Sequence, residues 1–590
     1  MDHCEDAAAG RRAVARGARA HGVRALRGVA LTLLLGAAAC RHVPAAEDPM
    51  STTTVYLAKR IRTMDATHPI AEAVAIRDGK ILAVGQREEV MAAAGDDPRV
   101  VDVGTAIIVP GLQDAHGHLA HLGRSLTVTS LEGARSVEEV VARLRAAEPE
   151  SFQGDWLIAR GWDQNDWPAA HGAFPDRAVL DAAFPTTPVF LTRVDGHAAW
   201  VNGAALVRAG LSARTPDPEG GRLLRRPDGT LTGVLIDNAI PLVESKLPPL
   251  TDEQLQKRLV MALRKLASEG ITTFHDAGID LRTFEQLQRW DALGALPIRV
   301  YAMAEAQGGE GAQYLGRGTY SGRMLEMRAA KLYADGALGS RGAALHAPYA
   351  DDPGNTGLLL LRPEELQQKV DVFMARGFQV CIHAIGDRAN TLALDVLERA
   401  MAEVPDNAGR HRIEHAQVLR REDVPRLAKL GVVASMQPSH ATSDMAWAEA
   451  RLGPERIRGA YAWRSILDSG AALAFGSDFP IEEPDPLAGI YAARTRQDAE
   501  GRPAGGWHPE QRITGEEALY AFTVGAAYAS FAEDRRGALR PGMDADFTVL
   551  SVDPVEDDPK ALLSGKVLKT VVAGVEIYSA PAAAKTGRSP

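Results

Sequence analysis

Pro110-Gly111-Leu112-Gln113-Asp114-Ala115-His116-Gly117-His118 follows directly on the apolar run Ile107-Ile108-Val109. On extended backbone, side chains two residues apart point to the same face. His116 and His118 can therefore reach one cation together, and neutral imidazole suits Zn²⁺, Fe or Mn. By itself such a pair is also compatible with two unrelated surface histidines. The ends of later apolar runs change that reading. His383 follows Val380-Cys381-Ile382, His415 ends Arg412-Ile413-Glu414, and Asp478 ends Ala474-Phe475-Gly476-Ser477. Lys331 lies inside Ala329-Ala330-Lys331-Leu332-Tyr333. A buried, unpaired ammonium is expensive, so this lysine needs either a carboxylate partner or chemical conversion.

Outward from this stretch, eight β-like runs alternate with helix-compatible segments: 107–109, 271–274, 298–301, 329–333, 378–382, 411–414, 432–435 and 472–475. Eight strands alternating with helices are what a (β/α)₈ barrel requires, and its strand C-termini converge on one mouth, where the residues above would meet. The gap from about 120 to 270 is too long for a simple connection. It reads as an inserted subdomain over that mouth, holding Trp156, Trp162, Trp167 and Trp200. Residues 52–106 and 537–579 have a β texture, including an Asp78-Gly79 hairpin turn. Segments from opposite ends of the chain can pair, because domain termini commonly lie close together. The expected architecture is thus α/β: a barrel over 107–536 with an insertion after its first strand, and a small β-sandwich built from both termini. Residues 580–590 read as a disordered tail.

Several stretches together resemble the amidohydrolase superfamily, in its YtcJ-like branch (the amidohydrolase 3 family). They are the opening stretch, Thr192-Arg193-Val194-Asp195-Gly196-His197, Asp335-Gly336-Ala337-Leu338-Gly339-Ser340-Arg341, His383-Ala384-Ile385-Gly386-Asp387, Arg412-Ile413-Glu414-His415-Ala416-Gln417, and Phe475-Gly476-Ser477-Asp478-Phe479-Pro480. The resemblance runs from about 52 to 578. It implies one metal ion on His116 and His118, another on His383 and His415, and Lys331 carboxylated by CO₂ as a bridging carbamate. It also implies that Asp478 binds the first metal and moves the proton of the attacking water. The implied cofactor is a pair of Zn²⁺ ions per chain, with a mononuclear form and unmodified Lys331 as the alternative.

The expected activity is hydrolysis of a non-peptide carbon–nitrogen bond in a small molecule, a linear N-acyl or N-formyl amide first. Opening of a cyclic amide or ureide, or cleavage of an ester or lactone, is the alternative on the same site. A catalytically inactive relative that only binds is the alternative of another class, and the full set of ligand-type residues argues against it. Among further residues, His197 and Arg341 are candidates to bind a carbonyl or carboxylate, or else to organise loops. Trp162 is a candidate for an apolar pocket wall, or for the core of the insertion. His275, with Asp276 beside it, can support the site from behind. His346, His440 and His508 have no strand-end placement and read as structural.

The 590-residue chain has a formal net charge of −10, 46% hydrophobic and 24% charged residues. That composition is ordinary for a globular protein, and no basic surplus exists to displace counterions from a nucleic acid. Arg11, Arg12, Arg16, Arg19, Arg24 and Arg27 precede the apolar run 29–35, small residues 36–39 and Cys40. A basic region, a short apolar run and a small-residue zone make a secretory signal over 1–39, too short to span a membrane as a helix. Cys40 resembles the acylated cysteine of bacterial lipoproteins, followed by a linker to about 51. Membrane attachment and an extracytoplasmic location are then expected, or a cytoplasmic one if translation begins at Met50. The three cysteines are Cys4, Cys40 and Cys381. With the leader removed and Cys40 acylated, Cys381 has no partner for a disulfide.

Overall fold

The computed structural model describes residues 52–168, 173–405, 407 and 409–581. The expected leader, Cys40 and the linker lie outside the described residues, as does all but the start of the tail. No helix among the described residues is long and apolar enough to cross a membrane.

Eight parallel strands form the central sheet: β1 (Leu112–Gly117), β2 (Ile271–Ile279), β3 (Arg299–Glu305), β4 (Leu325–Tyr333), β5 (Gln379–Ala384), β6 (Arg412–His415), β7 (Val433–Met436) and β8 (Leu473–Phe475). Each is hydrogen-bonded to the next in chain order. The seam between β8 and β1 is closed just beyond the end of β8. There the Asp478 N–H donates to the His116 carbonyl at 2.7 Å and the His118 N–H to the Phe479 carbonyl at 2.8 Å. Helices cover the outside. The helix Asp252–Ser268 shows why: a Thr251–Gln254 capping box satisfies its first turn, and Leu255, Leu259, Ala262, Leu263 and Leu266 recur at helical spacing on its buried face.

Gly117 is required where the seam closes. A Cβ there would fall 2.2 Å from the Phe479 ring. Gly117→Ala is expected to destabilise the protein by about 1–3 kcal/mol through overpacking, read as a lower denaturant midpoint. An unchanged midpoint would mean that the ring moves aside freely.

The terminal segments form one eight-stranded sheet, with strands from residues 54–110 and 547–579. Its Asp-Gly turn places Asp78 and Gly79 at φ of 51° and 74°, as a two-residue hairpin loop needs. One expectation is corrected here. Ile107–Pro110 is a strand of this terminal sheet, parallel to Thr54–Arg62 and antiparallel to Phe547–Leu550. The barrel begins at Leu112 instead. All four residues of 107–110 are buried, and a short apolar run buried on both faces reads the same in either sheet.

The insertion carries its own seven-stranded sheet, from Thr129–Ser130 to Leu231–Asp237, with an apolar core on each face. It ends before the helix Asp252–Ser268, which packs into the barrel core. The insertion is therefore shorter at its C-terminal end than the sequence suggests.

Candidate metal centre

β1 places Asp114 and His116 on one face of the extended backbone, with His118 just past its end. The Asp114 carboxylate accepts from the His116 N–H (3.1 Å), the Ser477 N–H (3.1 Å) and the Ser477 hydroxyl (2.6 Å). It thereby ties β1 to the segment that carries Asp478. Behind His116 stands Glu414, wholly buried, with an oxygen 2.5 Å from His116 Nδ1. Arg412 holds that glutamate at 2.7 Å and also donates to the Ala115 carbonyl and the Ser435 hydroxyl. Nδ1 of His116 thus donates backwards, and Nε2 presents its lone pair to the mouth. Outer partners of this kind set the tautomer and basicity of a ligating imidazole. Glu414→Gln is expected to weaken metal affinity about 10–100-fold, measured by chelator competition. Unchanged affinity would show that the carboxylate does not tune the site.

The strand ends bring the other residues together. The ligand atoms of His116, His415 and Asp478 lie within 4.8 Å of one another. His118 Nε2 is 3.1 Å from Asp478 Oδ1, and the ring centres of His383 and His415 are 4.6 Å apart. His415 Nδ1 donates to Gln437 Oε1 at 2.9 Å, freeing its Nε2. His383 Nε2 is buried with no hydrogen-bond partner. His415 and Asp478 hold φ angles of 73° and 60°, a left-handed backbone that non-glycine residues keep only where the surroundings over-determine it.

Burial drives the pKa of His116, His383 and His415 well below the ordinary imidazole value, leaving them neutral. Burial pushes the Asp478 carboxyl upward, while the hydrogen bond from His118 lowers it. Lys331 is fully buried, with Nζ 3.4 Å from His116 Nε2 and no carboxylate within 4.0 Å among the described residues. Burial lowers its pKa. Neutral imidazoles, a buried carboxylate and the unpartnered His383 nitrogen are the donor set that a divalent transition metal takes.

His118, Lys331, His383, His415 and Asp478 floor a cavity of about 460 Å³ roofed by the insertion. His197 lines it. Its Nδ1 donates to the buried Asp237 at 2.7 Å, and its ring lies 5.1 Å from that of His383. Two other sequence candidates are elsewhere. Trp162 is wholly buried in the insertion core beside Trp167 and Trp200, its indole N–H donating to the Leu191 carbonyl. Arg341 is not among the cavity's lining residues and pairs with Asp351 at 2.9 Å. His275 is buried behind the site, its Nδ1 2.9 Å from Arg412.

His440, read as structural, is a cavity residue. It stacks on His415 with ring centres 6.1 Å apart, and its Nε2 lies 3.9 Å from Asp478 Oδ2. The available signal was its place four residues after β7, on a turn opened by Pro438. His346 and His508 lie outside the cavity. Glu414 and Arg412 were visible only as parts of a strand.

A closed parallel barrel with these side chains at its mouth defines a metal-dependent hydrolase. The model of the amidohydrolase family matches residues 99–578, and the chain belongs to that family, as a hydrolase acting on carbon–nitrogen bonds. It is 33% identical over 86% of its length to a putative amidohydrolase, YtcJ, of Bacillus subtilis, covering 96% of that protein. It is 29% identical over 88% of its length to the N-substituted formamide deformylase of Arthrobacter pascens, covering 97% of it. Among solved structures, an uncharacterized metal-dependent hydrolase from Pyrococcus horikoshii superposes with a TM-score of 0.69 at 28% identity, covering 86% of this chain and 99% of that one.

Proposed function

We propose that this protein hydrolyses a linear N-acyl or N-formyl amide of a small molecule, releasing an amine and a carboxylic acid. The observation that carries the reading is the convergence of His118, His383, His415, Lys331 and Asp478 on one cavity, with His116 beside them. The likeness to a protein named for deformylating N-substituted formamides supports an amide over a ring or an ester. His116, His118, His383, His415 and Asp478 would hold two Zn²⁺ ions. When bound, such ions polarise the substrate carbonyl and lower the pKa of a water towards neutrality. Asp478 takes the proton of the attacking water and passes it to the leaving nitrogen as the carbon–nitrogen bond breaks. Lys331, buried without a carboxylate, adds CO₂ and loses a proton. The resulting carbamate would neutralise metal charge where an ammonium would add to it. The leader reading completes the proposal, with export and acylation at Cys40.

The test is release of free amine by protein lacking residues 1–40 and reconstituted with Zn²⁺. It would be assayed on linear amides, cyclic ureides and esters. Amine from linear amides supports the proposal. Acid without amine moves the activity to ring opening or ester cleavage, and no product from any class retires it.

A further inference from the structure

Arg160 sits on the insertion strand Trp156–Trp162, is 5% exposed, and lines the cavity above the metal centre. Its Nη2 donates to the Val194 carbonyl at 2.8 Å and to the Pro480 carbonyl at 3.1 Å. Pro480 is two residues beyond Asp478, so the guanidinium is held against the segment that carries the proton-transfer group. Its Nε is buried with no partner. No carboxylate of the described residues lies within 4.0 Å of it.

The contrast with Arg193 in the same wall is informative. That residue, equally buried, is neutralised by Asp163 and Asp195 and also donates to Gln164. Of the other acids facing the cavity, Asp444 accepts from Tyr461 at 2.6 Å and Glu244 pairs with Arg124 at 3.2 Å, while Asp166 and Glu482 make no ion pair among the described residues. Glu132, the carboxylate that acts most strongly on Arg160, is at an exposed position and makes no ion pair with it. Burial pulls the Arg160 pKa down only to about 10, so it is a cation at neutral pH. A buried cation left uncompensated is costly. A binding cavity can carry such a cost when the ligand supplies the counter-charge.

We propose that Arg160 is the anion-binding residue of this cavity, and that the amide cleaved carries a carboxylate, as an N-acylated or N-formylated amino acid does. The inference rests on the amide-hydrolase reading for its reaction, but the anion site stands on the geometry of Arg160.

The experiment compares N-formyl- and N-acetylleucine with their uncharged leucinamide counterparts on the Zn²⁺-loaded enzyme and its Arg160→Met and Arg160→Lys variants. The unmodified enzyme is expected to favour the carboxylates by about 10- to 100-fold in kcat/KM, the range of a charge-assisted hydrogen bond. Arg160→Met abolishes that preference, and Arg160→Lys keeps part of it. Equal cleavage of acids and amides by the unmodified enzyme overturns the inference and leaves amide hydrolysis standing. An equal fall on both substrates in Arg160→Met and Arg160→Lys also overturns it, because a purely structural clamp between the insertion and Pro480 would act that way. If no amide is cleaved, calorimetry with N-acetylleucine decides. Binding that Arg160→Met or Arg160→Lys weakens supports the anion site although the amide reading has failed, and no binding, or binding indifferent to both, overturns it.

Discussion

Asp478→Asn is expected to lower turnover by about 10²–10⁴-fold, the span that a positioned proton-transfer group contributes, while KM stays within about threefold. An amide has nearly the shape of the carboxylate but cannot accept the proton of the attacking water. The backbone at this position favours the test. Asp478 sits at a φ of 60°, and asparagine is among the residues that tolerate the left-handed region best. The turn that closes the barrel seam through the Asp478 N–H and His116 carbonyl should therefore survive. Because Asp478 Oδ1 also lies 3.1 Å from His118 Nε2, metal content has to be measured beside turnover. Lost turnover with metal retained assigns the proton transfer to Asp478. Near-normal turnover would remove it from that role.

Lys331→Ala is expected to weaken metal binding by at least about 100-fold, more than the 10–100-fold typical of an outer partner. Short carboxylic acids such as acetate or propionate should restore part of it. The side chain is fully buried, 3.4 Å from His116 Nε2, and has no acid within ion-pair distance among the described residues. As an ammonium it would repel the ions expected beside it. As a carbamate it supplies a negative bridge, and a small carboxylate can occupy the space that alanine vacates. Full metal occupancy in this variant would end the bridging role. Loss of metal with no response to added acid would leave the lysine a ligand of another kind. Circular dichroism guards against reading global unfolding as metal loss.

Much of the site was legible because its chemistry is local. A His-x-His pair after an apolar run, and His383, His415 and Asp478 at later run ends, follow from period-two alternation and the shared polarity of barrel strands. Trp162 and Arg341 were each left with two roles for an equally plain reason. A tryptophan is as suited to a core as to a pocket wall, and only the packing of Trp167 and Trp200 around Trp162 decided between them. Arg341 has a partner ten residues later, Asp351, which no motif announces. His440 was missed because it comes after a strand end, on a helical turn that swings it back over His415.

From residue order alone came seven of the eight barrel strands and their direction, the existence of the insertion, the β texture of both termini and the family of the chain. These depend on periodicity and on short motifs, which are properties of neighbours along the chain. The tertiary structure decided what depends on distant residues meeting. It assigned Ile107–Pro110 to the terminal sheet, where Phe547–Leu550 pairs with it. It set Glu414 behind His116, 298 positions earlier in the chain. It also left Arg160 without an ion pair among the described residues while giving Arg193 two. Whether a buried charge is compensated depends on which side chains surround it in space, and residue order does not carry that.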